Sequence, residues 1–279
     1  MFRRHPAYPS LACRTLGSDS YPVYVYHKII PRLDYHAPNR ALCEKILERG
    51  SCCHGFDKKF IKSLFYSVRS FIELYPDFEY VICYNQIEEE CLLSVKKLDE
   101  RIRLINQNDY LNSFPIKPQL EYQTYWKLYP PRLDITKHEI NIDNDIIIFK
   151  KIKEIDCFLN EDAVLLYQGL HGLYGSYENS VPTGIRINSG IYGMPPNFIF
   201  KQNMPKLQHN WQDKFDEQGI VASTLMNYKK HFIIPLTTIP IIEKNFEMKY
   251  FLHDFCCGYH FVGVNYLSHK PWNNYVKNK

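Results

Sequence analysis

No stretch of this chain reaches the roughly 18 uncharged apolar residues that a membrane span needs, so none is expected. Runs of five or six like charges are missing too, and a formal net charge of +4 is spread along the sequence. That leaves no electrostatic footprint for nucleic acid, and a solvated surface is the default reading. The basic start, MFRRHPAYPS, has no apolar segment behind it, so no secretory signal is expected. Repeats, low-complexity tracts and linkers are absent, which makes one domain over 1–279 the simplest division, with 1–56 its least legible part. Nine Cys are an odd number in a chain too large to need disulfide staples. They read as reduced thiols, and the protein as cytoplasmic.

What is present is ordinary in proportion: 45% hydrophobic and 23% charged residues describe a globular protein. Strand and helix patterns then alternate. Tyr21–Ile30 reads as a strand, Lys58–Leu74 as a helix with apolar residues at helical spacing, and Phe78–Tyr84 as a buried strand. A second amphipathic helix is expected over Glu88–Glu100, followed by a short strand at Ile102–Ile105. Gln123–Tyr129 reads as a short helix ended by Pro130-Pro131. Further on come a helix at Lys151–Asn160, strands at Ala163–Tyr167 and Ile185–Tyr192, a helix at Gln218–Tyr228, and strand character from Phe232 to Ile242. This alternation predicts an α/β fold with a mostly parallel central sheet flanked by helices. In such sheets ligands bind beyond the carboxyl ends of the strands.

The stretch His138–Lys150, HEINIDNDIIIFK, is where that end is expected. Ile140 and Ile142 alternate with polar neighbours, then Asp143-Asn144-Asp145 precedes the apolar run Ile146–Phe149. On an extended backbone the two Asp side chains point to one side. Carboxylate oxygens are the ligands Mg²⁺ and Mn²⁺ prefer. The competing reading is an ordinary Asp/Asn turn between strands.

Four segments in this order resemble the nucleotide-sugar glycosyltransferases of the GT-A fold (a Rossmann-like nucleotide-diphospho-sugar transferase fold), most closely glycogenin and related retaining, family 8-like enzymes. Asp143-Asn144-Asp145 matches the family's DxD, and Asn188-Ser189-Gly190-Ile191 its Asn-Ser-Gly-Val segment. Asp216-Glu217-Gln218-Gly219 is similar to its Asp-Gln-Gly, and His260-Phe261-Val262-Gly263 with Lys270-Pro271-Trp272 to its closing motif. Lys127-Leu128 stands upstream where the family carries a phosphate-binding Lys-Leu. There are departures. Six residues, Val264 to His269, separate Gly263 from Lys270 where the family has two, so His260 and His269 both compete for the ligand role. One residue too many in the third motif leaves Asp216 as a rival to Glu217.

The resemblance implies a UDP-sugar donor, an acceptor that is a glycan, a protein or a small molecule, and Mn²⁺ or Mg²⁺ as cofactor. A second copy of the chain remains open as a partner. It implies Asp143, Asp145 and His260 as metal ligands, and Lys127, Asp143, Asn144, Asn188, Ser189, Gln218, Gly263 and Lys270 as donor-binding residues. Glu217 or Asp216 would face the anomeric carbon, in a retaining transfer or, as the alternative, as the base of an inverting one. A non-catalytic sugar- or nucleotide-binding protein on the same scaffold is the reading from another class. Bland readings compete at each position. Asn188-Ser189-Gly190 is a turn in most proteins, Asp216-Glu217 suits the acidic first turn of a helix, and Lys127 suits a solvated helix. His253, Cys256, Cys257 and His260 offer zinc-type ligands without the usual C-x₂-C pairing.

Overall fold

The computed structural model describes residues 25–31, 55–85, 89–114, 123–206, 213–243 and 254–262. In chain order its elements are β1 (Val25–Pro31), α1 (Gly55–Leu74), β2 (Phe78–Tyr84), α2 (Glu89–Lys96), β3 (Arg103–Asn106), β4 (Glu139–Asp143), β5 (Ile146–Ile148) and α3 (Lys153–Leu159). After these come β6 (Val164–Gln168), β7 (Ile187–Met194), α4 (Phe200–Asn203), α5 (Asp216–Met226), β8 (His231–Ile234), β9 (Ile241–Ile242) and β10 (Gly258–Phe261). Short 3₁₀ turns occupy Gln107–Tyr110, Gln123–Leu128 and Gly175–Ser180.

Alternation along the strands is what divides the interior into layers. On β6, Leu165 and Tyr167 enter one apolar cluster with Ile140, Ile142, Phe158 and the buried face of α1. Val164 and Leu166 enter another, with Tyr192, Met194, Tyr125, Leu128 and the apolar side of α5. The sheet is therefore covered on both faces, and each fully buried Leu, Ile or Phe contributes roughly 1.5–3 kcal/mol. On α1 the buried set is Ile61, Leu64, Phe65, Val68 and Phe71, at the helical spacing expected. Ser63, Ser67 and Ser70 are buried among them, and Ser70 Oγ accepts the Ile148 amide of β5 at 3.1 Å. Small residues there let a strand end seat on the helix.

The expectation of a mostly parallel sheet needs correction. The seven-stranded sheet has the order β3-β2-β1-β4-β7-β6-β8 and is mixed. β2–β3 and β6–β8 pair in parallel, while β1 runs against β2 and β4, and β7 against β4 and β6. The physical reason lies in the connections: β6 returns to β7 through an irregular loop with one 3₁₀ turn, not through the helical crossover that parallel neighbours require.

Of the two readings of the aspartate stretch, the structure shows the turn between strands. β4 ends at Asp143, Asn144 and Asp145 form a turn, and the chain leaves the large sheet to start β5 in a separate three-stranded sheet, β5-β10-β9. The change of sheet positions the site. Because β7 is reversed, its first residues lie at the same end as the last residue of β4, and β10 pairs His260 with Ile146, next to Asp145.

Candidate active site

Five separate parts of the chain converge at this sheet end, Ser189 of β7 among them. The 3₁₀ turn Gln123–Leu128 brings Lys127, whose Nζ lies 2.7 Å from Asp143 Oδ1 and 2.8 Å from Oδ2. The β4–β5 turn brings Asp143 and Asp145. From β10 comes His260, with Nε2 3.2 Å from Asp145 Oδ1 and 3.9 Å from Asp143 Oδ2. Helix α5 brings Glu217, whose Oε2 accepts from Ser189 Oγ at 3.1 Å and stands 3.9 Å from Lys127 Nζ. Lys127 Nζ also reaches Ser189 Oγ at 3.4 Å, so that hydroxyl bridges ammonium and carboxylate.

Ser189 is available for this because the β6–β7 ladder breaks. Leu165 pairs with Gly193, yet Tyr167 pairs with Asn188, which leaves Ser189–Tyr192 opposite the single residue Leu166. Such irregularities re-aim side chains and cluster beside active sites. Amides freed nearby find side-chain acceptors: Gly190 N donates to Asn188 Oδ1 at 2.7 Å and Ser189 N to Gln218 Oε1 at 3.4 Å. Gln218 Nε2 in turn donates to the Leu173 carbonyl at 2.8 Å, tying helix and loop together.

The two acidic residues of α5 go different ways. Asp216 is fully buried but committed elsewhere: Oδ1 accepts from Ser176 N at 2.7 Å and Ser176 Oγ at 2.6 Å, and Oδ2 from Asp213 N at 3.1 Å. It ties down the 175–180 turn and does not join Lys127. Glu217, 3% exposed, has Oε1 without a partner among the described residues. Burial, with Asp143 adding to it against Lys127 and Ser189, pushes its carboxyl up to about 7. Burial also raises the Asp143 carboxyl, with Lys127 and His260 opposing and Asp145 adding. For Lys127, burial pulls the other way but is outweighed by Asp143, Glu217 and Asp145, which raise its pKa.

Three carboxylates thus face one lysine. Asp143, Asp145 and His260 offer ligand atoms within 4.8 Å of one another, and Asp145 Oδ1 is buried without a hydrogen-bond partner among the described residues. Adjacent ligands about 2.1 Å from an octahedral Mg²⁺ or Mn²⁺ are about 3 Å apart, so these donors fit a hard divalent cation after small shifts. Asn144 sits buried in the turn with Nδ2 unpartnered among the described residues. Gly263, Lys270 and the rival His269 lie outside the described residues, as do His253 and Trp272. Cys256 and Cys257 do not join His260: their thiols face the Gly258 and Phe255 carbonyls.

Sequence reasoning missed the surroundings of His260. Tyr167 lies beside its ring, centroids 5.7 Å apart, and Gly190 lies against its edge. A glycine inside a strand is the signal that could have found this, since it often marks close approach of another group.

No protein-family model matches the chain, and no curated protein sequence matches it. Among solved structures it is similar to the crystal structure of mouse Xyloside xylosyltransferase 1 in its apo form. Identity is 11%, 73% of this chain and 93% of that chain are covered, and the TM-score is 0.42. A likeness at that level transfers no chemistry.

Proposed function

We propose that the chain is a metal-dependent glycosyltransferase of the GT-A type, moving a hexose from a UDP-sugar to an acceptor with retention of anomeric configuration. The observation that carries this reading is the cluster itself: Asp143, Asp145 and His260 at ligand spacing, with Lys127, Ser189 and Glu217 joined to it. Asp143, Asp145 and His260 would hold the cation, Mn²⁺ being favoured by the mixed oxygen and imidazole donors. When bound, it supplies Lewis-acid stabilisation of a departing diphosphate.

The chain's own groups divide the remaining work. Lys127 places a point charge at the same edge, within reach of the same phosphates. Ser189 holds the Glu217 carboxylate toward the interior of the site, and Gln218 and Asn188 present amides suited to sugar hydroxyls. Glu217 faces the region where oxocarbenium charge would develop, and Asp216 fixes the loop that supports it. A second reading is favoured by the raised Glu217 pKa: a carboxylate that titrates near 7 is matched to general-base work on an acceptor hydroxyl, which would invert the anomeric centre. NMR of the anomeric product separates the two.

The test is a UDP-sugar panel (glucose, galactose, N-acetylglucosamine) assayed for UDP release with and without Mn²⁺, in wild type and Asp145→Ala. Mn²⁺-dependent release that Asp145→Ala abolishes supports the reading. Donor binding without any release across a broad acceptor panel would favour the non-catalytic sugar-binding alternative.

A further inference from the structure

We propose that Gly190 is a positioning residue for the cation site: the side chain it lacks is the slot that fixes the His260 imidazole toward Asp143 and Asp145. This deepens the cation-site reading above and rests on it.

The argument starts from what holds that ring. Metal-binding imidazoles ordinarily have the second ring nitrogen hydrogen-bonded to a carbonyl or carboxylate, which sets ring orientation. Here His260 Nδ1 is buried with no hydrogen-bond partner among the described residues. Orientation therefore falls to packing. The backbone of His260 is held on both sides, by Ile146 of β5 and Ile241 of β9, and its amide donates to the Pro240 carbonyl at 3.0 Å. One wall of the ring is Tyr167, whose own hydroxyl is pinned to the Ile239 carbonyl at 2.8 Å. Gly190 is the other. A Cβ there would stand 2.5 Å from His260 Cε1 and 3.1 Å from Nδ1. Ordinary carbon contacts are about 3.5–4.0 Å, so the ring would have to retreat by about 1 Å. Cε1 is bonded to Nε2, the atom facing the aspartates, and that nitrogen would move with it. Ligand distances in metal sites are held to about 0.2 Å, so the displacement is several times what coordination tolerates. The same Cβ would lie 2.8 Å from Asn188 Oδ1, but that half-buried amide can turn aside at the cost of the hydrogen bond it accepts from Gly190 N. The imidazole, 3% exposed against the Tyr167 ring, has no such freedom.

The test is a double-mutant cycle on the full chain with Mn²⁺ alone as the probe: wild type, Gly190→Ala, His260→Ala and the double variant. Free Mn²⁺ is read by electron paramagnetic resonance, and the nitrogen of a ligating imidazole by electron spin-echo modulation. Gly190→Ala is expected to weaken Mn²⁺ binding about 10–100-fold, as loss of ligand orientation does, and to remove the nitrogen modulation at saturation. In the His260→Ala background the same change is expected to cost nothing further, because the methyl occupies vacated space. If Gly190→Ala alone fails to fold, folding of the double variant shows the same clash and supports the proposal. Wild-type-like affinity and nitrogen modulation in a folded Gly190→Ala overturn it, and so do additive losses across the cycle. Wild type that binds Mn²⁺ without nitrogen modulation overturns the His260 slot while leaving the aspartates as ligands; wild type that binds no Mn²⁺ overturns the cation-site reading and this proposal together.

Discussion

Strand β4 carries a carboxylate at each end, and the two ends are built on opposite plans. At its start Glu139 is fully buried; its Oε2 accepts the Leu133 amide at 2.7 Å and the Asp134 amide at 3.5 Å, and Arg132 Nε lies 4.0 Å away. At its end Asp143 shares Lys127 with Glu217, while Asp145 Oδ1 and Glu217 Oε1 lack hydrogen-bond partners among the described residues. Buried polar groups are normally satisfied, and an exception calls for an explanation. The first end is a knot that holds a loop. The second has acceptor capacity to spare, which a ligand can use. The same contrast recurs in miniature on α5, where Asp216 is satisfied by its own loop and its neighbour Glu217 is not.

The largest effect that could break this comparison is on stability. Glu139→Ala leaves the Leu133 and Asp134 amides without their acceptor and the buried Arg132 without its counter-charge, and is expected to cost about 3–5 kcal/mol; denaturant unfolding of Asp145→Ala, by contrast, should match or exceed wild type. Equal losses at the two ends would remove the distinction. Next is the pH dependence of Glu217. Its folded pKa of about 7 lies above the ordinary glutamate value of 4.5, so the folded state binds more protons in between. Stability from this group is fully present below about 4.5 and is lost as pH rises through about 7, on the order of 3 kcal/mol. Glu217→Gln should flatten that slope in thermal unfolding measured from pH 4 to 8, and should cut turnover.

A smaller effect is expected at Lys127. Lys127→Met removes the cation that opposes the rise of both the Asp143 and Glu217 carboxyls, costing about 1–3 kcal/mol at pH 8 and less at pH 5, where more of their charge is gone. A loss independent of pH would show that the lysine acts by packing alone. At the far end of the sheet, Lys230 Nζ meets Glu161 Oε2 at 2.7 Å with both side chains about half exposed. Lys230→Ala should shift stability by less than about 0.5 kcal/mol, as solvent-screened pairs do.

Much of the fold was legible because its cues are local. Helical spacing located α1, whose observed span Gly55–Leu74 extends the expected one by three residues at the front. The strand at Phe78–Tyr84 was found with its limits, seven consecutive buried residues after a proline turn. Strand direction was not legible, because β1 and β7 are reversed by where their connections lead, which no local pattern encodes. The turn after Asp143 was legible as the competing reading of Asp143-Asn144-Asp145. That the strands on its two sides belong to different sheets was not, because sheet membership is decided by distant partners. At the site, the resemblance picked out residues that the fold brings together, Lys127, Asp143, Asp145, Ser189, Glu217 and His260. It left open which of Asp216 and Glu217 faces them, since a helix's first turn accommodates both and only the 175–180 loop distinguishes them. The ladder irregularity that frees Ser189, and the slot between Gly190 and Tyr167, arise from long-range packing.

The most direct measurement is calorimetric titration of UDP into the full chain with and without Mn²⁺, repeated with Asp145→Ala. A shared cation and diphosphate site predicts that Mn²⁺ tightens UDP binding at least tenfold in wild type and has no effect in the variant. UDP affinity indifferent to Mn²⁺, or Mn²⁺ enhancement that survives Asp145→Ala, would contradict it.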